Sequence, residues 1–495
     1  MTDLASTPAA SPPDMRRRWL ALIVLCGGSL MIVLDSTIVN VALPSIRISL
    51  GFSPTSLAWV VNAYLLTFGG FLLLGGRLGD LYGQRKLFVF GITLFTIASL
   101  ACGLSNSQHL LVGARAVQGL GGAIASAVSL GLMMNLFTEP ADRAKAMGVF
   151  GFVASGGGSL GVLLGGVLTN WLDWHWIFLV NLPIGVAVIA LSMRLLPGGG
   201  AVPQKGRLDV AGAVTVTGAL MMAVYAIVNG NQEGWTSAQT LGLLAGAVVV
   251  LGIFLLIESR VAAPLVPLSL FRIRNMSVAN GVGVLWAGSM FAWFFLSALY
   301  LQAVLGYSPI EVGLAFLPAN LIMGAFSLGL SARLVMRFGL RKPLGVGLTF
   351  AAVGLVLFVR APVDGTFAVD VLPSMVLLGI GAGMAFNPVL LAAMSDVPQH
   401  ESGLASGVVN TAFMMGGALG LSVLASVAAS RTSTLVSDGQ GQLQALTGGY
   451  HAAFLVGAVF ALAAAIAGYT LIREGAPAGA HGHGEPVGEP AVESA

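Results

Sequence analysis

Charged residues are scarce in this sequence. Asp, Glu, Lys and Arg together make up 9% of its 495 residues, whereas soluble domains typically carry about a quarter. Apolar residues make up 56%, and the mean hydropathy is +0.90. Most of the protein surface therefore cannot face water, which excludes a soluble globular protein, and no nucleic-acid partner is expected.

Cysteine is almost absent too, as are the residue patterns of common enzymes. The two cysteines, Cys26 and Cys102, lie inside apolar runs, which predicts two buried thiols and no disulfide. The sequence contains no Ser/His/Asp set, no Cys/His metal spacing and no nucleotide-binding loop. We therefore expect no enzyme activity, no metal site and no cofactor. An ion gradient or a partner has to supply any energy that the protein uses.

Long apolar runs, in contrast, are abundant. A helix needs about 20 mainly apolar residues to cross the hydrocarbon core of a bilayer. Fourteen such runs are separated by charges, Pro/Gly clusters or polar turns, which predicts an all-α integral membrane protein. The predicted spans cover residues 19–43, 57–76, 87–105, 110–136, 146–170, 176–196, 209–229, 238–257, 277–304, 312–332, 343–360, 370–394, 402–428 and 451–472.

The positions of Lys and Arg predict the orientation, because cytoplasmic loops carry an excess of these residues. With the N-terminus inside, most of the 23 lysines and arginines fall in inner loops. Arg47, Arg360 and Arg431 fall on the outer side, and Arg115 falls within a span. The pattern persists to the last span, which supports an even number of spans and two cytoplasmic termini.

Two loops repeat one pattern. GRLGDLYGQRK, residues 76–86, and ARLVMRFGLRK, residues 332–342, both end in Gly-x-Arg-Lys. A parallel repeat of this kind is typical of transporters built from two helical bundles. It divides the chain into an N-terminal tail, a six-span bundle, two unmatched spans, a second six-span bundle and a disordered tail. The predicted bounds are 1–18, 19–196, 197–276, 277–476 and 477–495.

Two opposite charges fall inside predicted spans. Asp35 lies about 24 Å along the first span from Trp19, and Arg115 lies about 7.5 Å below the outer end of the fourth span. At this similar depth we expect one polar network, joined by Gln118 one turn after Arg115. A carboxylate in a membrane span marks a proton or ion path by default, so Asp35 and Arg115 are the predicted proton-coupling pair. A purely structural ion pair is the alternative.

The fifth span carries a glycine pattern. Gly157, Gly161 and Gly165 recur every four residues, with Gly166 beside them. Small residues at this spacing form a helix face that another helix can approach closely. A plain helix contact is the alternative to a functional role.

The loop of residues 76–86 combines the turn glycines Gly76 and Gly83 with Asp80, Arg85 and Lys86. Asp80 can cap a helix N-terminus or pair with a neighbouring cation. The loop is therefore either a conformational latch between helix ends or a static surface network, and its residues alone favour neither.

The stretches LDSTIVNVALP (34–44), GRLGDLYGQRK (76–86) and ARAVQGLGGAIASA (114–127) resemble successive motifs of the major facilitator superfamily. Together with GGGSLGVLLGG (156–166), WHWIFLVNLPIG (174–185) and ESGLASGVVNT (401–411), they resemble its fourteen-helix drug:proton antiporters. The resemblance covers nearly the whole chain except both tails.

This resemblance implies two six-helix bundles that alternate access to a central cavity, with two helices inserted between them. It also implies a protonatable acid at Asp35, a relay or gating arginine at Arg115, a gating loop around Asp80 and an antiporter-type glycine helix around Gly161. We expect a monomeric, multi-pass protein of a bacterial plasma membrane that is driven by the proton gradient.

Three departures from the family pattern stand out. Val162 occupies a position that is usually proline, so the usual reason for a kink in the fifth span is missing, although close packing is still expected. Leu81 and Gln84 replace basic residues that are common in the gating loop. Phe413 and Met414 stand where a cation often occurs, so the second bundle is expected to be short of charge.

A large apolar pocket with few polar anchors would suit small hydrophobic or cationic substrates. Aromatic and thioether side chains adapt to varied ligands of this kind. If only Asp35 titrates in the pathway, a lipophilic monocation or a neutral drug is easier to export than a dication. The predicted lining consists of Tyr64, Gln118, Met290, Trp293, Phe294, Asn410 and Met414.

The predicted function is proton-coupled export of hydrophobic drugs or antibiotics across the cytoplasmic membrane. Three alternatives stay open: a dedicated exporter of one natural product or metabolite, a nutrient importer, and a non-transporting membrane sensor. The glycine-rich fifth span disfavours an importer, and the charge pair inside the membrane disfavours a sensor.

Overall fold

The computed structural model describes residues 15–137, 139–197, 209–261, 264–397 and 401–473. The predicted C-terminal tail and most of the predicted N-terminal tail lie outside the described residues, as does most of the linker that follows residue 197. The side chain of Asp80 also lies outside the description.

Within the described ranges, the chain is helical almost throughout and contains no β-strand. Short 3-10 or π-helical turns at Ser56–Ala58, Leu268–Arg272, Phe326–Leu330 and Phe367–Val371 precede four of the α-helices. The α-helices are α1 Met15–Leu50, α2 Trp59–Tyr82, α3 Gln84–Gly103, α4 Gln108–Leu136, α5 Pro140–Trp171, α6 Trp176–Leu179, α7 Asn181–Leu195, α8 Val210–Glu233, α9 Ala238–Arg260, α10 Arg274–Ala303, α11 Pro309–Ala325, α12 Ser331–Phe338, α13 Arg341–Phe358, α14 Leu372–Met394, α15 Ser402–Ser437 and α16 Gln442–Leu471.

Every predicted span coincides with one helix or with two consecutive helices: α6 and α7 form the sixth span, and α11 and α12 form the tenth. Among the described helices, 12 are long and apolar enough to cross a membrane by length and composition. Two shorter apolar helices, Leu160–Trp171 within α5 and Pro309–Ala325, belong to predicted spans five and ten. The all-α membrane fold is thus confirmed, whereas fourteen crossings stays a prediction.

Several helices extend beyond the predicted spans. α1 continues to Leu50, α15 continues to Ser437, and α16 begins at Gln442. Polar residues in these extensions, such as Arg47 and Arg431, do not end a helix, because the backbone hydrogen bonds are made inside the helix whatever surrounds the side chains. Hydropathy therefore locates the apolar middle of a helix and not its ends.

The break in helix geometry lies in the tenth span and not in the fifth. α5 runs without interruption past Val162. Between α11 and α12, Gly329 has a φ of 123°, which is not helical. Positive φ favours glycine because it has no Cβ. The two repeated loops share this property, since Gly83 (φ 94°) ends α2 and Gly339 (φ 76°) ends α12.

The helices form two bundles with an inserted pair. The bundles meet where α1, α2 and α5 of the first contact α10, α15 and α11 of the second, respectively. The inserted helices α8 and α9 pack on each other, and α8 also packs on α2 and α15. One inserted helix, α8, therefore touches both bundles.

Candidate functional site

Asp35 and Arg115 form an ion pair inside the first bundle. Asp35 lies in the middle of α1, Arg115 lies early in α4, and their side chains are 0% and 1% exposed. Arg115 Nη1 donates a hydrogen bond to Asp35 Oδ2 at 2.5 Å. The two charges that the sequence places at similar depth are thus in direct contact. Each of these buried charges is stabilised by the other, because an unpaired buried ion is strongly destabilising.

Neutral polar side chains complete the surroundings of Asp35. Gln118 Nε2 and Asn181 Nδ2 both donate to Asp35 Oδ1, at 2.7 and 2.9 Å. Ser99 Oγ accepts from the same two amides at 2.7 and 3.4 Å. Arg115 Nη1 also donates to Gln118 Oε1 at 2.6 Å. We call Asp35, Ser99, Arg115, Gln118 and Asn181 the Asp35 cluster.

Arg115 is also held by α2. Its Nε donates to the backbone carbonyl of Val60 at 2.9 Å. Its guanidinium carbon lies 4.4 Å from the centre of the Tyr64 ring and 5.7 Å from that of Phe178, and both distances are within cation–π range. The guanidinium therefore has partners besides Asp35.

Four helices of the first bundle build the cluster. α1 supplies Asp35, α3 supplies Ser99, and α7 supplies Asn181 as its first residue. α4 supplies Arg115 and Gln118, which share one helix face because they are three residues apart. A change in the charge of Asp35 therefore alters interactions that join four helices.

The glycine face of α5 packs directly on the Asp35 segment of α1. A Cβ atom added to Gly161 would lie 2.8 Å from the carbonyl oxygen of Leu34 and would collide with the hydroxyl of Thr37. One added to Gly165 would lie 2.7 Å from the carbonyl oxygen of Ile38. The two backbones can approach this closely only because these residues lack a side chain.

The remaining glycines of the pattern extend this contact in both directions. A Cβ on Gly157 would meet the side chains of Leu30 and Val33 on α1. A Cβ on Gly166 would lie 2.7 Å from the carbonyl oxygen of Pro309, at the start of α11. α5 therefore connects α1, on which Asp35 lies, with the second bundle.

The described contacts of loop 76–86 lie inside the first bundle. Arg85 donates to the carbonyl oxygen of Met193 in α7. Lys86 is exposed, and an added Cβ would meet no atom at Gly76 or Gly83. Because the side chain of Asp80 is outside the description, the latch stays a prediction.

The residues of the predicted substrate lining do not lie in one place. Tyr64 and Gln118 belong to the surroundings of Arg115 in the first bundle. Trp293 and Phe294 are buried in the second bundle against Phe316, with ring centres 4.4 to 6.2 Å apart. The three others, Met290, Asn410 and Met414, are half-buried, and Met414 lies beside Gly69 where α15 meets α2.

A cavity of about 300 Å³ is lined by other residues. It is bounded by the end of α1, by α8 and by helices of the second bundle, and Arg47, Asn231, Leu299, Thr432 and Tyr450 are among its lining residues. In the described part of the chain, no group of three His, Cys, Asp or Glu side chains could hold a metal ion.

Sequence reasoning missed three partners of the cluster. Asn181 lies in the stretch WHWIFLVNLPIG, where a polar amide in an apolar run is a usable signal. Ser99 carries no such signal, because serine is common in membrane helices. The third partner, the carbonyl group of Val60, belongs to the backbone and cannot be recognised in any sequence.

Comparison with known proteins identifies the family. Residues 25–421 match the model of the Major Facilitator Superfamily. The chain is 39% identical to the puromycin resistance protein of Streptomyces alboniger, over 88% of this chain and 87% of that protein. It is 38% identical to the cephamycin export protein of Amycolatopsis lactamdurans, over 90% of this chain and 91% of that protein.

A solved structure shows the same fold. A bacterial homologue of the human lysosomal transporter Spinster, in an inward-facing and unoccupied conformation, superposes with a TM-score of 0.68 at 15% identity. The superposition covers 94% of this chain and 100% of that chain. With the two-bundle architecture and the family match over most of its length, the chain belongs to the Major Facilitator Superfamily, a family of membrane transporters and not of enzymes.

Proposed function

We propose that the protein is a proton-coupled antiporter that exports hydrophobic antibiotics or similar drugs by alternating access. The relatives support export, since their names refer to antibiotic resistance and antibiotic export. The observation that carries the proton coupling is the buried ion pair of the Asp35 cluster. The moving bodies in this proposal are the predicted bundles of residues 19–196 and 277–476, and both termini lie in the cytoplasm.

The cluster offers a physical switch. Ionised Asp35 accepts hydrogen bonds from Arg115, Gln118 and Asn181 and neutralises the guanidinium. A proton on Asp35 removes this negative charge and turns an acceptor into a donor. Arg115 then keeps its bonds to Gln118 and to the carbonyl of Val60 but has no counter-charge. Because an unpaired buried cation is costly, protonation favours a rearrangement of α1 relative to α4.

α5 is the route by which this rearrangement reaches the second bundle. Its glycine face follows α1 around Asp35, and Gly166 contacts the start of α11. Backbones in such close contact cannot slide independently, since each ridge of one helix lies in a groove of the other. Movement of α1 is therefore expected to change the α5–α11 contact between the bundles.

The charge of the cluster limits the substrate class. Asp35 is the one buried acid in the described part of the two bundles. If it exchanges one proton for one drug molecule, neutral drugs and monocations gain most from the proton gradient. Efficient export of a dication by this cluster alone would contradict that limit.

A dedicated exporter of one natural product is the second candidate. Each of the two relatives is named for a single compound or compound class, puromycin and cephamycin. Competition between chemically unrelated drugs for export separates the two candidates, because a dedicated exporter ignores all but one of them.

Inside-out vesicles that contain the full-length protein test the coupling. With an acidic lumen, wild-type protein is expected to take up drug into the lumen and to release protons when drug is added. Asp35→Asn keeps the shape of the side chain but cannot lose a proton, so both signals are expected to fall to the level of empty vesicles.

Asp438→Asn is the matched control, because Asp438 is exposed at the end of α15 and this variant should behave as wild type. Undiminished drug-driven proton movement in Asp35→Asn would refute the proposed role of the cluster.

A further inference from the structure

A second pair of buried carboxyl groups lies in the inserted helices. Apart from Asp35, Asp209 and Glu258 are the buried acidic side chains among the described residues, at 6% and 3% exposure. Asp209 is the N-cap of α8, and Glu258 lies in the last turn of α9. The two residues therefore lie at the same end of this antiparallel pair.

Each carboxyl group uses one oxygen and leaves the other without a partner. Asp209 Oδ1 accepts from the backbone N–H of Gly212 at 2.7 Å, and Glu258 Oε2 accepts from that of Val266 at 3.1 Å. Asp209 Oδ2 and Glu258 Oε1 are buried and have no donor. Buried polar atoms in native structures almost always have a hydrogen-bond partner, so these two oxygens call for an explanation.

Both unpartnered oxygens lie next to Gly212. A Cβ atom added to Gly212 would contact both of them, at 2.8 Å from Glu258 Oε1 and closer still to Asp209 Oδ2. Glu258 lies within hydrogen-bonding reach of Asp209. Glycine at position 212 thus leaves the space in which the two carboxyl groups meet.

No described cation compensates this pair. The described ion pairs involve other residues, and Arg260, two positions after Glu258, is exposed. On the helices that pack against α8, the corresponding ends carry Arg77 of α2, which is exposed, Glu401 at the start of α15, and Asp80 of α2, whose side chain is outside the description.

We propose that Asp209 and Glu258 share one proton and form a second proton-binding site, in the inserted helix pair. Two ionised carboxylates that border the same small space beside Gly212 repel each other, and neither can donate to the other. One proton converts one oxygen into a donor and satisfies both. Glu258 is the expected carrier, since negative charge is stabilised at the helix N-terminus beside Asp209 and opposed at the helix C-terminus beside Glu258.

The shared proton would hold the inserted pair to the second bundle. Glu258 binds the N–H of Val266, in the segment that leads to α10. The side chain of Val266 packs on a small apolar cluster of Val216, Phe254 and Met415, from α8, α9 and α15. Loss of the proton leaves two repelling carboxylates at this junction, so the segment and its contact with α15 are expected to loosen.

Infrared difference spectroscopy of the full-length protein in lipid vesicles tests the site without any transport assay. Wild type at neutral pH is expected to show the carbonyl band of a protonated carboxylic acid, and this band should shift in D2O. It should persist in Asp35→Asn. Glu258→Gln and Asp209→Asn should each abolish it, because an amide replaces the proton as the bridge between the side chains.

Glu233→Gln serves as the control, since Glu233 is exposed at the other end of α8, and it should retain the band. Three results would each overturn the proposal: no such band in the wild type, a band unchanged in both Glu258→Gln and Asp209→Asn, or a band lost in Asp35→Asn. A carboxylate band that responds to Na⁺ in place of protons would also overturn it, because the site would then hold a metal cation.

Because the readout does not depend on drug or on flux, the shared proton can be confirmed even if the antiporter proposal fails. The reverse also holds: drug-driven proton movement lost in Asp35→Asn supports the antiporter whether or not the second site exists.

Discussion

The two bundles share one architecture but differ in the charge of their interiors. The first bundle buries the ion pair of Asp35 and Arg115, whereas the buried polar residues in the described part of the second are neutral, such as Asn280, Asn320 and Ser374. In place of a charge cluster, the second bundle packs aromatic rings around Trp293. A repeated fold can thus keep its packing while only one copy carries a titratable group.

This difference suggests a division of roles, with proton binding in the first bundle and apolar contact with the substrate in the second. The inserted helices add the only other buried acids among the described residues, Asp209 and Glu258. Asp209 is the N-cap of α8, which packs on α15 of the second bundle, where the described buried polar residues are neutral. Three substitutions test this comparison.

The largest effect is expected for Arg115→Leu. Removal of one member of a buried ion pair leaves an uncompensated charge on Asp35, at a cost of about 3–5 kcal/mol. Thermal unfolding of the purified protein should show this loss, and drug transport should disappear. Arg431→Leu, at an exposed position of α15, should change neither. If Arg115→Leu left the unfolding temperature unchanged, the pair would not be the charged centre of the first bundle.

An intermediate effect is expected for Gly161→Ala. The new methyl group would clash with the backbone of Leu34, next to Asp35. A backbone atom cannot relieve such a clash by changing rotamer, as a flexible side chain can. Overpacking of this kind costs about 1–3 kcal/mol. We also expect slower drug transport, because α1 and α5 can no longer pack closely.

Gly148→Ala, in the same helix, is the matched control for that variant. An added Cβ at Gly148 meets no atom within 4 Å, so the change should be neutral or slightly stabilising. Equal stability and transport in both variants would show that the glycine face of α5 has no packing role.

The smallest effect is expected for Trp293→Phe in the second bundle. The smaller ring still packs on Phe294 and Phe316, and the substitution removes an indole N–H that has no partner. The loss of stability should therefore be of the order of 1–2 kcal/mol. Drug-susceptibility profiles should change, while the proton movement driven by each exported drug should not. Loss of proton coupling in this variant would contradict the division of roles.

The sequence predicted a large part of the fold and the centre of the site. Hydropathy located every long helix, and helix rise placed Asp35 and Arg115 at one depth, where the structure shows them in contact. The sequence analysis did not identify the other partners of the Asp35 cluster. Ser99 carries no sequence signal, and although the amide of Asn181 stands out in an apolar run, only the packing of α3 and α7 brings both residues into the cluster.

The pairing of the two acids in the inserted helices also could not be predicted from the sequence. Asp209 and Glu258 stand near the ends of helices, where charged residues are usually solvated, and their sequence positions give no reason to join them. They meet because α8 and α9 pack antiparallel and because Gly212 leaves room between them. Burial of these groups is a property of the packed pair and not of either segment.

What the sequence determined by itself was that the chain forms many apolar helices of a membrane protein and that Asp35 and Arg115 lie at similar depth, since these follow from the transfer of one segment at a time into lipid. What only the tertiary structure decided was the direction in which each side chain points. In helices that are apolar all round, no amphipathic pattern marks the inward face. The partners of Asp35, and the shared space of Asp209 and Glu258, therefore emerged only when helices far apart in the sequence were packed together.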